Sequence, residues 1–234
     1  MVLWRVPRAL SNISRELADA AVAIALAPLC AACREPLDHP TRGVVCDGCW
    51  RAIEPLAPPP REPLPPGIAV ASALGLYDGR LRDIVQALKY DARSTIAAHL
   101  ARRMSAAAGG LLAGADLAVP VPLHRSRERT RGFNQARELA RHLPLPLADV
   151  LIRTRHTDAQ ADLPAARRAA NVRGAFALRR RAAVDGRVVV LIDDVCTTGA
   201  TLNACAAVLL DAGAAEVRAL TAARAVLKSD GRPR

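Results

Sequence analysis

Residues 188–201 read VVVLIDDVCTTGAT, an apolar run, then two adjacent carboxylates, then a hydroxyl-rich loop that feeds a helix-like pattern. This is the stretch that most restricts the fold. Val188–Ile192 suits a parallel strand buried on both faces, and polar groups just past its carboxyl end fall where open α/β sheets bind ligands. Asp193 and Asp194 are therefore expected at the mouth of a site. Beyond them, Thr197, Thr198, Gly199, Ala200 and Thr201 offer hydroxyls and backbone N–H groups at a helix start, which together make an anion cradle. Carboxylates that accept from vicinal hydroxyls, next to a phosphate cradle, point to a sugar phosphate. A buried strand ending in a solvated Asp-Asp turn is the plainer alternative.

The same stretch resembles the phosphoribosyl-pyrophosphate (PRPP) signature of type I phosphoribosyltransferases. That likeness implies that Asp193 and Asp194 meet the ribose, and that Val195, Cys196 and Thr197–Thr201 border or hold the 5′-phosphate. The loop is neither a Walker phosphate loop, since no Gly-Lys-Ser/Thr follows, nor a dinucleotide fingerprint, since the three-glycine spacing is absent. Magnesium is the implied cofactor; it binds phosphate oxygens, water and a carboxylate or two rather than an all-protein cage.

The pattern around this core predicts alternating strands and helices, hence a parallel α/β sheet. Ile68–Leu76 reads as a first strand. Gly79–Tyr90 reads as a helix with Leu81, Ile84, Val85 and Leu88 at helical spacing, and Thr95–Ala107 as a second. Leu117–Val121 is strand-like, Phe133–His142 helical, Ala148–Ile152 a short strand and Pro164–Val172 helical. Leu202–Ala212 is expected to form the helix after the cradle, and Glu216–Ala222 a closing strand.

Four of the six cysteines form a second pattern: Cys30-x2-Cys33, twelve residues, then Cys46-x2-Cys49. Paired thiolates on two tight turns fit a closed tetrahedral zinc shell, a structural metal for a piece too small to carry its own core. Disulfides are the alternative, and a reducing cytosol favours metal. Arg5, Arg8 and Arg15 precede an apolar stretch, Ala20–Leu29, that is too short to span a bilayer, and Ala27-Pro28-Leu29-Cys30 lacks the small residue of a lipidation site. No integral span and a cytoplasmic location are expected. Pro55–Pro66 holds seven prolines and reads as a stiff linker. The expected organisation is a helical lead-in at 1–29, a zinc ribbon at 30–54, a linker at 55–66 and an α/β domain at 67–228.

The formal charge is +11, and the 33 basic residues are all Arg except Lys89 and Lys228, so phosphate-bearing partners are favoured. Aromatics are 3% of the chain, too few for an extended base-stacking surface. Lys89, at the end of the first α/β helix, is the candidate for contact with pyrophosphate, or else simply complements the helix dipole. The segment His124–Arg141 contains six Arg and two Glu. It is expected to be a mobile loop in which Arg129 or Arg131 clamps the leaving pyrophosphate, or else a solvated basic loop. Lys89, Arg129 and Arg131 are the catalytic candidates. Cys205 reads as a core residue, and His124 and His156 as surface histidines that could also act as bases.

Taken in order, the four-Cys ribbon, VPVPLHRSRERTRGFNQARELA, QADLPAARRAANVRGAF and the terminal cradle resemble the ComF family, which is associated with natural competence. The family positions are Arg131, Gly132, Phe133, Asn134 and Gln135, then Gln160, Leu163, Arg168, Asn171 and Phe176. Asn134 and Asn171 either orient a substrate or cap turns; Phe133 and Phe176 read as core before site. Where purine-type transferases place an acid, this chain has Thr197, as orotate-type members have Thr nearby, so the loop supplies no carboxylate base. The resemblance implies a Mg-dependent phosphoribosyltransferase of unassigned acceptor. The alternative is a non-catalytic DNA-handling protein that binds single-stranded DNA or a DNA-uptake helicase and keeps the PRPP pocket for sensing or folding.

Overall fold

A computed structural model of the chain describes residues 8–54, 56, 64–90, 94–155, 172–180 and 182–225. Six strands are described: β1 (Val70–Leu76), β2 (Leu117–Pro120), β3 (Leu151–Arg153), β4 (Phe176–Leu178), β5 (Val188–Cys196) and β6 (Glu216–Arg224). Seven α-helices accompany them: α1 (Arg8–Leu26), α2 (Asp47–Arg51), α3 (Gly79–Tyr90), α4 (Ser94–Ala107), α5 (Arg125–Arg131), α6 (Gln135–Ala140) and α7 (Ala200–Asp211). Four strands form one parallel sheet in the order β1-β6-β5-β2, and β3 pairs antiparallel with β4 in a separate hairpin.

The VVVLI run becomes the central strand for a physical reason visible in its alternation. Val190 and Ile192 enter one core layer with Ile84, Leu88, Leu100 and Leu139 from α3, α4 and α6. Val189 and Leu191 enter the opposite layer with Leu202, Cys205 and Leu209 of α7 and with Phe176 of the hairpin. A strand whose two faces are both covered needs apolar residues at every position. The strand continues through both acids to Cys196 rather than stopping at Ile192, because Asp193, Val195 and Cys196 keep their ladder partners on β6.

The last strand in the chain, expected at Glu216–Ala222, is present as β6 and lies inside the sheet between β1 and β5, a place that its position in the chain does not specify. A run as small as RALTAA still fills an interior position, because the flanking helices come close. Several expectations are corrected. The basic segment after β2 is not a loop: α5 is capped at its start by the His124 ring, whose Nδ1 accepts from Ser126 N at 3.3 Å, and at its end by Gly132 in the left-handed region at φ 80°. The expected helix Phe133–His142 shortens to α6, and the strand near Ala148–Ile152 shifts to Leu151–Arg153, paired with an unforeseen β4. The expected helix Pro164–Val172 lies outside the described residues except at Val172, as do Gln160, Leu163, Arg168, Asn171 and His156.

The four-cysteine piece packs directly on the α/β layer. Cys30, Leu37, Val45, Cys49 and Trp50 share one buried cluster with Leu81, Ile84 and Leu88 of α3. Trp50 stacks on His99 of α4 with centroids 5.6 Å apart and planes 19° from parallel, and the Arg103 guanidinium covers the Trp50 ring at 4.6 Å. Past the ribbon, Leu56 N donates to Leu74 O of the edge strand at 3.1 Å. The backbone at Glu54 crosses β1 at Gly75, where any Cβ would meet the Glu54 carbonyl oxygen. Asp19 of α1, 3% exposed, accepts from Thr41 N at 2.8 Å and lies 3.3 Å from His39 Nδ1, fastening the first helix to the ribbon. No described helix is long and apolar enough to cross a membrane.

Candidate functional site

At the carboxyl end of β5 the sheet opens into a cleft of about 230 Å³. Its walls come from the ends of β1 and α3 (Tyr77, Lys89), the exit of β2 (Val121–Leu123), α5 and α6 (Arg127, Arg131, Asn134, Gln135), β3 (Arg153) and the whole of Asp193–Leu202. The structure thus brings Lys89, Arg131, both acids and the Thr-rich loop into one cavity. Arg129 is exposed and is not among the lining side chains. The helical form of α5 explains the difference: Arg127 and Arg131 are four residues apart and share a face, and Arg129 lies on the other.

The acidic pair is divided by its two surroundings. Lys89 Nζ reaches Asp194 Oδ2 at 2.9 Å, with the two side chains 17% and 15% exposed. Burial opposes ionisation of Asp194, but the Lys89 charge and hydrogen bond outweigh it and hold this carboxyl below the usual range. Asp193 also feels the Lys89 charge, but burial first, and then the adjacent Asp194 charge, outweigh it and push this carboxyl well above the usual range. Lys89 itself is pulled down by burial and raised more strongly by Asp194, so it stays charged. Each carboxylate also accepts a hydrogen bond from the next backbone N–H at 2.8 Å, which fixes the Asp-Asp conformation. Tyr77, at the end of β1, lies under Lys89 with its ring centroid 5.7 Å from Nζ, and its hydroxyl accepts from Gln86.

The hydroxyl loop begins α7 as the pattern requires. Gly199 is the N-cap at φ 73° and has no side chain to cap with, while Thr198 Oγ1 accepts from Ala200 N at 3.4 Å, so the start of a three-turn helix lines the cleft with the positive end of its dipole and one hydroxyl of the loop already turned to its first amide. A Cβ at Gly199 would also collide with the Pro65 ring, which backs the loop from the linker side. Asn134 resolves as an N-cap: Oδ1 accepts from Ala136 N at 2.9 Å, and Nδ2 donates to Val121 O at 3.0 Å, tying α6 to the exit of β2. Phe176 is core at 6% exposure, with the Arg153 guanidinium 5.3 Å above its ring. Phe133 packs partly buried against the other layer. Cys196 and Cys205 are both buried, and His124 serves as a cap. Tyr77, Arg127 and Arg153 carried no sequence signal of their own; only Arg127 was findable, through its four-residue spacing from Arg131.

The second candidate site is the cysteine cluster. Its four sulfurs lie within 4.8 Å of one another, with Cys30–Cys49 at 3.9 Å and Cys33–Cys46 at 3.8 Å. Metal–sulfur bonds of about 2.3 Å in a tetrahedron give sulfur–sulfur edges of about 3.8 Å, so the donor set fits zinc. Burial pushes the Cys30 thiol up, but backbone N–H groups of Cys33, Cys46 and Ala32 outweigh it and bring it down to about 6. Burial and the neighbouring sulfurs push Cys49 up, so a full set of thiolates calls for a cation.

The phosphoribosyl transferase domain model matches residues 129–232. The DNA utilization protein YhgH of Salmonella typhi is 34% identical over 227 residues, covering 92% of each chain. Competence protein F of Haemophilus influenzae is 39% identical over 113 residues, 46% of this chain and 49% of its own. Competence protein ComFC of Bacillus subtilis is 39% identical over 107 residues, 45% of this chain and 43% of its own. Among solved structures, an allosteric regulatory enzyme of purine biosynthesis matches at 22% identity and a TM-score of 0.39, over 59% of this chain and 29% of that one.

Proposed function

Because the chain belongs to the ComF family of phosphoribosyltransferase-like proteins, we propose that its cleft binds PRPP and transfers the phosphoribosyl group to an acceptor, in a role tied to DNA utilisation. The observation that carries this reading is the meeting of Asp193, Asp194 and Lys89 with the Thr197–Thr201 loop at the start of α7. The loop amides and hydroxyls suit the 5′-phosphate, and the acids suit the ribose diol. Arg127, Arg131 and Arg153 place cations where the pyrophosphate emerges.

In the transfer, the bond from the anomeric carbon to the pyrophosphate oxygen breaks, with the electron pair leaving on oxygen, and a bond to the acceptor forms. The residues' share is to orient the sugar and to match the charge that develops on the leaving group. Asp193 and Asp194, with the ligand's own oxygens, fit a magnesium ion, which would supply further charge neutralisation. Lys89 holds Asp194 ionised for that task. With Thr at position 197, deprotonation of an acceptor falls to a group outside this loop or to the acceptor itself.

The names of the relatives favour a second reading, in which the pocket senses PRPP and the protein's work is to handle DNA, through single strands or a helicase partner. Calorimetry with PRPP and Mg²⁺, followed by a pyrophosphate-release screen over nucleobases, separates the two. Saturable binding lost in Asp193→Asn/Asp194→Asn, with release in the presence of an acceptor, supports transfer. Binding without release supports sensing. Absence of PRPP binding alongside salt-sensitive DNA binding refutes the pocket reading, since phosphate contacts weaken steeply with salt.

A further inference from the structure

Gln135 is a buried polar side chain for which neither the fold nor the site described above has a use. It is 2% exposed, lines the cleft, and its Nε2 has no hydrogen-bond partner among the described residues. Buried amide donors are almost always satisfied, and one left open costs more than an apolar group of the same shape would. Nor is the side chain loosely placed. Gln135 is the first residue of α6, and its neighbour Asn134 fixes that helix start twice, by capping Ala136 N and by donating to Val121 O. A rigid backbone therefore presents an open N–H donor to a cavity.

The missing partner is an acceptor, and the walls of the cleft say of which kind. Arg127, Arg131 and Arg153 share the cavity with Gln135. Burial and the Arg127 charge both weaken the ionised form of Arg153, and the Asp193 charge offsets them only in part, so two like charges converge on this cavity. The 5′-phosphate is allotted to the loop at α7 and the ribose hydroxyls to the acids, which leaves the pyrophosphate, set beside these three arginines in the reading above, as the anionic part of the ligand open to Gln135.

We propose that Gln135 donates from Nε2 to a pyrophosphate oxygen of PRPP, as a positioning residue for the leaving group beside Arg127, Arg131 and Arg153. The proposal rests on the PRPP reading above. In the full chain, Gln135→Met keeps the length and removes the donor; Gln135→Glu keeps the shape and replaces the donor by a negative charge. Calorimetry in Mg²⁺ compares PRPP with ribose 5-phosphate, which lacks the pyrophosphate, and melting curves are taken without ligand. For Gln135→Met, PRPP affinity is expected to fall about 10-fold, in line with loss of one hydrogen bond to a charged group. Ribose 5-phosphate affinity stays within about 2-fold, and the unliganded melting temperature is unchanged or higher because the orphan donor is gone. Gln135→Glu loses more PRPP affinity than Gln135→Met, again with ribose 5-phosphate spared.

Equal losses for both ligands, or a lower melting temperature in Gln135→Met, assign Gln135 a structural role and overturn the proposal. PRPP binding that is unchanged in Gln135→Met, or stronger in Gln135→Glu, overturns it while leaving the PRPP reading intact. Wild-type protein that binds neither ligand refutes both.

Discussion

Lys89→Met tests the electrostatic account of the cleft most directly. In the folded protein the ammonium and the Asp194 carboxylate are 2.9 Å apart and largely shielded from water. Asp194 is held below the ordinary carboxylate range, so it contributes stability at pH values above the unfolded-chain pKa, and that contribution is lost as pH falls through its folded value. Lys89 is held above its ordinary range, so its contribution is complete below the unfolded lysine pKa and is lost only as pH rises through the folded value. Near neutrality both are present. Met preserves much of the unbranched stem and removes the charge, leaving Asp194 buried beside Asp193 without its cation.

Breaking a buried pair by removing one partner costs roughly 3–5 kcal/mol. The remaining exposure of both groups sets the expectation at the lower end, about 3 kcal/mol at pH 7, because solvent screens part of the interaction. For a chain of this size that is a fall of about 6–12 °C in melting temperature. Without Lys89, Asp194 moves up toward Asp193, and the folded variant binds more protons than the folded wild type. Its deficit therefore shrinks as pH falls from 8 toward 5. Thermal unfolding of wild type, Lys89→Met, Asp194→Asn and the double variant between pH 5 and 8 gives both the deficit and the coupling energy. A deficit that is the same at pH 5 and pH 8, or a coupling below about 1 kcal/mol, would refute the reasoning.

Gly199→Ala has to hold a β-carbon at φ 73° against the Pro65 ring. A stability loss of about 1–2 kcal/mol with weaker PRPP binding is expected, read from urea melts and calorimetry; an unaffected variant would show that Pro65 does not back the loop. Asn134→Ala removes an N-cap and the Val121 tie, and should cost about 1–2 kcal/mol in the same melts. Asn134→Asp, which keeps the capping oxygen, should recover part of that loss. Zinc is expected at one ion per chain by elemental analysis, and chelation or Cys49→Ser should lower the melting temperature of the whole chain, because Cys49 and Trp50 share a core with α3. An unchanged main transition after zinc removal would mean that the ribbon and the α/β layer are energetically separate despite their contact.

Much of this protein is legible where the pattern is local. The helix Gly79–Tyr90 follows from its own periodicity, since Leu81, Ile84, Val85 and Leu88 are all buried on one face. The α5 and α6 boundaries were not legible, because they depend on a His ring and an Asn side chain bonding to backbone, an interaction that no hydrophobic pattern records. The pairing of β3 with β4 joins residues 151–153 to 176–178, and nothing in either three-residue run specifies the other.

The sequence by itself determined the parallel α/β class, the acidic pair with its hydroxyl loop, and four thiols at metal-binding spacing, because each is a short pattern whose chemistry is complete within a few residues. Tertiary structure decided which face each acid turns to and what meets it there. Alternation along β5 sends Ile192 toward the α3 layer, and Lys89 arrives from α3 to ionise Asp194, whereas at Asp193 burial and its neighbour's charge outweigh the same lysine. Arg127, Arg153 and Gln135 likewise became neighbours only when helices after β2 and the β3 hairpin closed over the sheet, for cavities are made by elements distant in sequence and no local pattern encodes what they will enclose.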